Sequence, residues 1–135
     1  MDGLFRRVLA GDVMMKRPFG GMFTAEDLPS EQARFDACET VHAGPIFGRK
    51  TFPAKGEAAG REAEALQEAE LTPAQFAGFG KLLQGTRRPN VVYLDDLEAQ
   101  PEPEGVRLSV TLPAGSYATV LLRELMKREP TETEE

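Results

Sequence analysis

The sequence predicts an α+β fold, with short strands and helices over the first two-thirds and a strand–strand–helix segment at the end. Three observations carry this. Residues 106–112 alternate Val-Arg-Leu-Ser-Val-Thr-Leu, the two-residue period of a half-buried strand with Val106, Leu108, Val110 and Leu112 on one face. Residues 55–70 are dominated by Ala and Glu, strong helix formers. Elsewhere Gly and Pro interrupt the apolar positions every few residues, which confines the remaining elements to short lengths.

In chain order, residues 4–9 predict a short helix, and Gly11-Asp12 a turn. Residues 13–16 and 21–24 predict two strands joined by a hairpin through Arg17-Pro18-Phe19-Gly20. Thr24 and Ser30 are N-cap candidates, and a short helix is expected from Ser30 through Cys38. Residues 40–53 read as a loop, punctuated by Gly44-Pro45 and Gly48 and anchored by Ile46 and Phe47. After the helix over 55–70, Thr72 and Pro73 restart a helix that carries Phe76, Phe79, Leu82 and Leu83 on one face until Gly85. Residues 90–94 predict a strand and residues 95–105 an acidic connector. Pro113 ends the strand over 106–112. Ser116 is then the expected cap of a helix to about Arg128 that buries Val120, Leu121, Leu122, Leu125 and Met126. Two strands and one helix make too little core to stand alone, so this last part must pack on the rest of the chain or on other polypeptide.

Composition narrows the function. The 135 residues hold 22 acids, 16 Lys or Arg and a single cysteine, Cys38. Four of the acids lie in the tail from Glu129 onward, and the rest of the chain is nearly neutral. An acidic chain is a poor stand-alone binder of nucleic acid, so any such role needs a local basic cluster or a basic partner. One cysteine excludes an intrachain disulfide and a cysteine-rich zinc site. No apolar run reaches membrane-spanning length and no leader is evident, so a soluble cytoplasmic protein is expected.

Few residues are candidates for chemistry. His42 is the sole histidine and reads as a solvated or hydrogen-bonded loop residue. Cys38 reads as a small buried apolar group. Asp95-Asp96 is a possible carboxylate pair, although aspartates after a strand commonly bond to backbone. The acids of residues 57–70 read as a solvated helix face. Two features suit nucleic acid. Arg87-Arg88 could clamp phosphate with planar guanidinium forks, or could be surface arginines favoured at a helix C-terminus. Gly115-Ser116-Tyr117 stands at a helix mouth, where free N–H groups attract an anion; Tyr117 is either a stacking platform for an extruded base or a core aromatic.

The run Leu112-Pro113-Ala114-Gly115-Ser116-Tyr117-Ala118-Thr119, with the strand before it and the helix through Leu125, closely resembles the C-terminal motif of TruD-type tRNA pseudouridine synthases, Leu-Pro-x-Gly-Ser-Phe/Tyr-Ala-Thr. Leu9 to Val13, Gly20 to Asp27 and Gly44-Pro45-Ile46-Phe47-Gly48 resemble successive landmarks of that family's insertion domain, and Gly85-Thr86-Arg87-Arg88 its exit. The resemblance implies that residues 1–88 are the later part of the insertion domain, 89–128 the returning segment of the catalytic domain and its mixed sheet, and 129–135 an acidic disordered tail. It implies an enzyme that isomerises a tRNA uridine without cofactor or metal. An aspartate attacks the flipped nucleoside, the glycosidic bond breaks, the base rotates and C5 joins the ribose. Gly115, Ser116 and Tyr117 would form a wall of the substrate pocket, and Arg87 and Arg88 an RNA contact.

The family's catalytic aspartate lies in a Gly-x-Lys-Asp-type motif. Here the aspartates are Asp2, Asp12, Asp27, Asp36, Asp95 and Asp96, and none follows Gly-x-Lys. A wall residue cannot replace a carboxylate nucleophile. The chain alone is therefore expected to be inactive, with tRNA bound mainly once a complementing N-terminal polypeptide supplies the rest. A non-catalytic RNA- or protein-binding module and a decaying gene product are the alternatives. Unpaired sheet edges predict a homo-oligomer, a partner or poor solubility.

Overall fold

A computed structural model of the chain describes residues 4–127, so the acidic tail and the expected end of the last helix at Arg128 lie outside the described residues. The chain divides into two compact units, Met1–Val91 and Val92–Glu135. The α+β class holds: strands and helices are interspersed through the first unit, and a hairpin precedes a helix in the second.

In the first unit, a 3₁₀ turn at Leu4–Arg6 stands where a helix to Leu9 was expected. The predicted hairpin forms from β1 (Val13–Lys16) and β2 (Met22–Thr24). Helix α1 (Leu28–Asp36) starts two residues before Ser30; Asp27 is the cap position and Pro29 lies in the first turn, where its fixed φ suits a helix. Thr24 belongs to β2, and Cys38 lies beyond the helix end in a left-handed conformation, φ +60°, half-buried rather than buried. Gln32 of α1 ties back the N-terminal segment: Val8 N–H donates to its Oε1 (2.8 Å), and its Nε2 donates to Arg6 O (3.1 Å). Val8, Met14, Ala25 and Phe35 form the core, with Phe23 and Leu28 packed against it.

The segment expected as a loop is strand β3 (Thr40–Ile46), the hub of the sheet. It pairs antiparallel with β1 and with β4 (Thr86–Pro89), in the order β2-β1-β3-β4. Gly44 and Pro45 disguise it. β1 pairs along Thr40–His42 and β4 along Ala43–Ile46, so Pro45 lies where β3 has a partner on one side only, and a missing N–H is tolerated there. Val41 and Ala43 supply the buried face. The strand expected over 90–94 is displaced to β4, and residues 91–94 form no regular element.

Helix α2 (Gly56–Glu68) matches expectation in place, but its inner face is Ala58 with Arg61 and Glu62 three and four residues on. Glu62 is thus an exception to the solvated acidic face. Residues 72–85 do not make an apolar-faced α-helix. A 3₁₀ segment runs over Pro73–Phe79, with the Thr72 N–H donating to Gln75 Oε1 (2.6 Å), and Gly80 ends it at φ +57°. Gly78 and Gly80 flank Phe79 and weaken the helix there, leaving Phe79 and Leu82 exposed.

In the second unit, part of the expected connector is strand β5 (Glu98–Glu102), paired with β6 (Gly105–Ser109) through a turn at 103–104. Pro101 is accommodated because a two-stranded ribbon is all edge. β6 stops at Ser109, short of the expected Leu112, and Thr111 N–H donates to both oxygens of Asp96 (3.0 Å each). A turn closed by Ser116 N–H to Pro113 O (3.0 Å), with Gly115 at φ +88°, leads into α3 (Ala118–Met126).

Candidate functional site

Tyr117, not Ser116, holds the cap position of α3: its carbonyl accepts from Val120 N–H at 3.0 Å and Leu121 N–H at 3.4 Å. Its backbone is extended, so the side chain stands at the helix mouth without being wound into it. Gly115 supplies the positive φ that closes the preceding turn, a conformation costly for any residue with a Cβ. Within this chain Tyr117 is 72% exposed and not part of a core. It lines an open cleft of about 370 Å³ with Val92, Leu94, Leu112, Val120 and Leu121, and Gly115 and Ser116 complete that wall. The surface is apolar with an aromatic lip, suited to a flat base and not to a charged group.

Helix α3 is likewise open to solvent. Val120, Leu122, Leu125 and Met126, expected in a core, are 53%, 40%, 49% and 56% exposed. Among its described residues the second unit has no fully buried side chain, because a hairpin and one helix offer nothing to cover a second apolar face.

Asp96 follows the backbone-bonding alternative. The hydrogen bonds from Thr111 hold its carboxyl below the ordinary aspartate range. It fastens the segment after β6 to the turn before β5.

Arg87 does not face solvent. Its side chain is 1% exposed and pairs with Glu62 by two bonds, Nη1–Oε1 at 2.7 Å and Nη2–Oε2 at 2.8 Å. It also donates from Nε to Phe52 O (2.7 Å) and from Nη1 to Ala43 O (2.9 Å). The expected phosphate contact is therefore corrected for Arg87: its fork is already committed to joining β4, β3 and α2. Strand alternation turns its neighbour Arg88 the other way, and Arg88 is exposed.

Beside this pair lies a second charged group. Asp12 accepts from Leu9 N–H (2.9 Å) and Arg61 Nη2 (2.6 Å), and lies 3.6 Å from His42 Nε2. His42 is on β3 rather than in a loop, with Nε2 at 3.0 Å from Arg7 O and its ring edge-on to Phe35 at 4.9 Å. Arg7 O can only accept, so Nε2 carries the proton in the neutral ring. These groups line a depression of about 260 Å³, but its charges are paired with one another, as in a structural network. Burial pushes the Asp12 carboxyl up; contact with His42, the Leu9 N–H and Arg61 outweighs it, and the net position is below the usual 3.8. The folded state thus binds this proton more weakly than the unfolded chain. Its contribution to stability is complete above about pH 4 and is lost as pH falls through the lower folded value. Melting curves between about pH 5 and 2.5 should show a steeper acid loss for the wild type than for Asp12→Asn; parallel curves would refute this. Among the described residues no group of three His, Cys, Asp or Glu side chains could hold a metal, and no helix is long and apolar enough to cross a membrane.

The architecture has a solved counterpart. A crystal structure described as TruD from Methanosarcina mazei superposes with a TM-score of 0.70 over 92% of this chain and 32% of that one, at 23% identity, a likeness of fold. The family model for tRNA pseudouridine synthase D (TruD) matches residues 2–125, and the chain belongs to that family. The tRNA pseudouridine synthase D of Anaeromyxobacter dehalogenans is 42% identical over 95% of this chain and 36% of its own length. That of Thermus thermophilus is 43% identical over 94% of this chain and 34% of its own. The chain thus spans about a third of the length of these curated relatives.

Proposed function

We propose that this chain forms one wall of the uridine pocket of a TruD-type tRNA pseudouridine synthase, and that the carboxylate nucleophile comes from other polypeptide. Residues 1–88 are the later part of the insertion domain and 89–128 the returning catalytic segment. The observation that supports this most is Tyr117, exposed over an apolar cleft beside a helix whose Val120, Leu122, Leu125 and Met126 are 40–56% exposed. In this reading Tyr117 stacks on the extruded uracil, while the Gly115-Ser116 turn lets the backbone approach the nucleoside. Arg88 contacts a tRNA phosphate. The reaction is an isomerisation: the C1′–N1 bond breaks, the base turns, C1′–C5 forms, and the C5 proton is lost as N1 regains one. It consumes no cofactor. The cell compartment is the one that holds tRNA, the cytoplasm.

The test is complementation. The 135-residue chain alone should form no pseudouridine in tRNA. Adding a polypeptide that carries the family's Gly-x-Lys-Asp segment should restore it. In the restored pair, Tyr117→Ala should lower kcat/KM by about 10- to 100-fold, the size of one lost base–aromatic stack, while Tyr117→Phe should retain most activity. If the pair gives neither pseudouridine nor a stable complex, the split-enzyme reading fails. Binding of tRNA by the chain, with a pair that forms a complex but no pseudouridine, would instead identify a non-catalytic module.

A further inference from the structure

Two acid-free stretches of this acidic chain, residues 40–56 and 71–91, are brought side by side by the β3–β4 pairing. Beyond the strands the two loops remain fastened. Arg49 N–H donates to Leu83 O (3.0 Å) and Lys50 N–H to Gln84 O (2.6 Å). Thr51 Oγ1 donates to Ile46 O (3.0 Å). Gly48 and Gly85 touch backbone to backbone, with no room for a Cβ on either. The landmarks Gly44-Pro45-Ile46-Phe47-Gly48 and Gly85-Thr86-Arg87-Arg88 are thus two sides of one joint.

The joint carries unneutralised charge. Of the cations in these stretches, Lys55 and Arg87 pair with Glu26 and Glu62. Arg49, Lys50, Lys81 and Arg88 are exposed and make no ion pair among the described residues. Phe79 and Leu82 stand on either side of Lys81 in sequence, 57% and 87% exposed. Cations interleaved with a free aromatic ring suit a nucleotide chain, whose phosphates meet the cations and whose bases stack on the ring. An acidic peptide would use only the cations.

We propose that Arg49, Lys50, Lys81 and Phe79, on the joined Gly48 and Gly85 loops, form an RNA-binding surface for a single-stranded or looped stretch of tRNA. It is a contact of the first unit, additional to the Tyr117 cleft, and it rests on the reading of tRNA as substrate. Its test is the affinity of the full 135-residue chain for a labelled tRNA transcript across about 50 to 300 mM salt. The triple variant R49Q/K50Q/K81Q should flatten the slope of log K against log salt by about 2, since each phosphate contact contributes about 0.7 to 0.9. Affinity near 0.1 M salt should fall by about 30-fold or more. Phe79→Ala should weaken binding about fivefold or more with the slope unchanged. Melting temperatures should be unaltered. A triple variant with the wild-type slope overturns the proposal, as does a wild type whose tRNA binding does not respond to salt. Polyglutamate that competes as well as a single-stranded oligonucleotide of equal charge would overturn it in favour of an acidic peptide. Complementation separates this proposal from the pocket reading: pseudouridine formed equally by wild type and triple variant, with an unchanged slope, removes the surface and leaves the pocket. A slope change without restored activity does the reverse.

Discussion

Arg87→Met is expected to destabilise the Met1–Val91 unit by about 3 to 5 kcal/mol, enough to unfold most of it under ordinary conditions. The guanidinium is 1% exposed and makes four hydrogen bonds, two to Glu62 and one each to Phe52 O and Ala43 O. Removing it leaves two carbonyls without their donor and a carboxylate that is 24% exposed without its counter-charge. Arg87→Lys should lose most of the same stability, because an ammonium cannot reproduce the planar fork across Glu62 while also reaching two backbone oxygens. Glu62→Gln strands the charge from the other side and should cost a comparable amount. The double variant Arg87→Met/Glu62→Met should recover much of the loss, since a buried ion pair replaced by apolar groups of similar volume is often tolerated. Arg88→Ala should change stability by no more than about 0.5 kcal/mol. Urea unfolding followed by circular dichroism measures all of these. An Arg87→Met loss below about 1 kcal/mol would show that the pair is not what joins β4 to α2.

Much of the first unit was legible in the chain. The β1–β2 hairpin reads from Val13-Met14-Met15 and Met22-Phe23-Thr24 on either side of an Arg-Pro-Phe-Gly turn, and α2 from its Ala and Glu content. β3 was not, because Gly44 and Pro45 signal a break. What makes it a strand is tertiary: two partners that share its length without overlapping. Arg87 and Arg88 illustrate the limit for site residues. Adjacent arginines are equivalent in sequence, and only the strand pairing of β4 sends one inward to Glu62 and the other to solvent. Glu62 lies four residues from Ala58 on one helix face, but among the helix's several alanines nothing in the sequence marks that face as the buried one. The Leu-Pro-Ala-Gly-Ser-Tyr run located the turn and the aromatic, but not whether the ring is covered. Exposure depends on what packs over α3, and its apolar side chains read as core whether or not the covering layer belongs to the same chain.

A covering layer supplied by other polypeptide, as proposed, determines the second large effect. An apolar helix with four side chains 40–56% exposed gains little from its own unit. Full burial of such a side chain contributes about 1.5 to 3 kcal/mol, so docking against α3 supplies several kcal/mol that the isolated second unit lacks. Local opening should therefore be frequent in the chain alone and rare in the complemented pair. The buried strands β1 and β3 already have their core in the first unit, so their protection should change little.

Amide hydrogen exchange over α3, with and without the complementing polypeptide, puts this to the test directly. In the 135-residue chain alone, the amides of Ala118–Met126 should exchange far faster than those of β3, and addition of the second polypeptide should slow them by about a hundredfold or more, as several kcal/mol of docking energy requires. Equal protection of α3 and β3 in the chain alone, or α3 exchange that the second polypeptide leaves unchanged, would contradict a pocket wall completed from outside this chain.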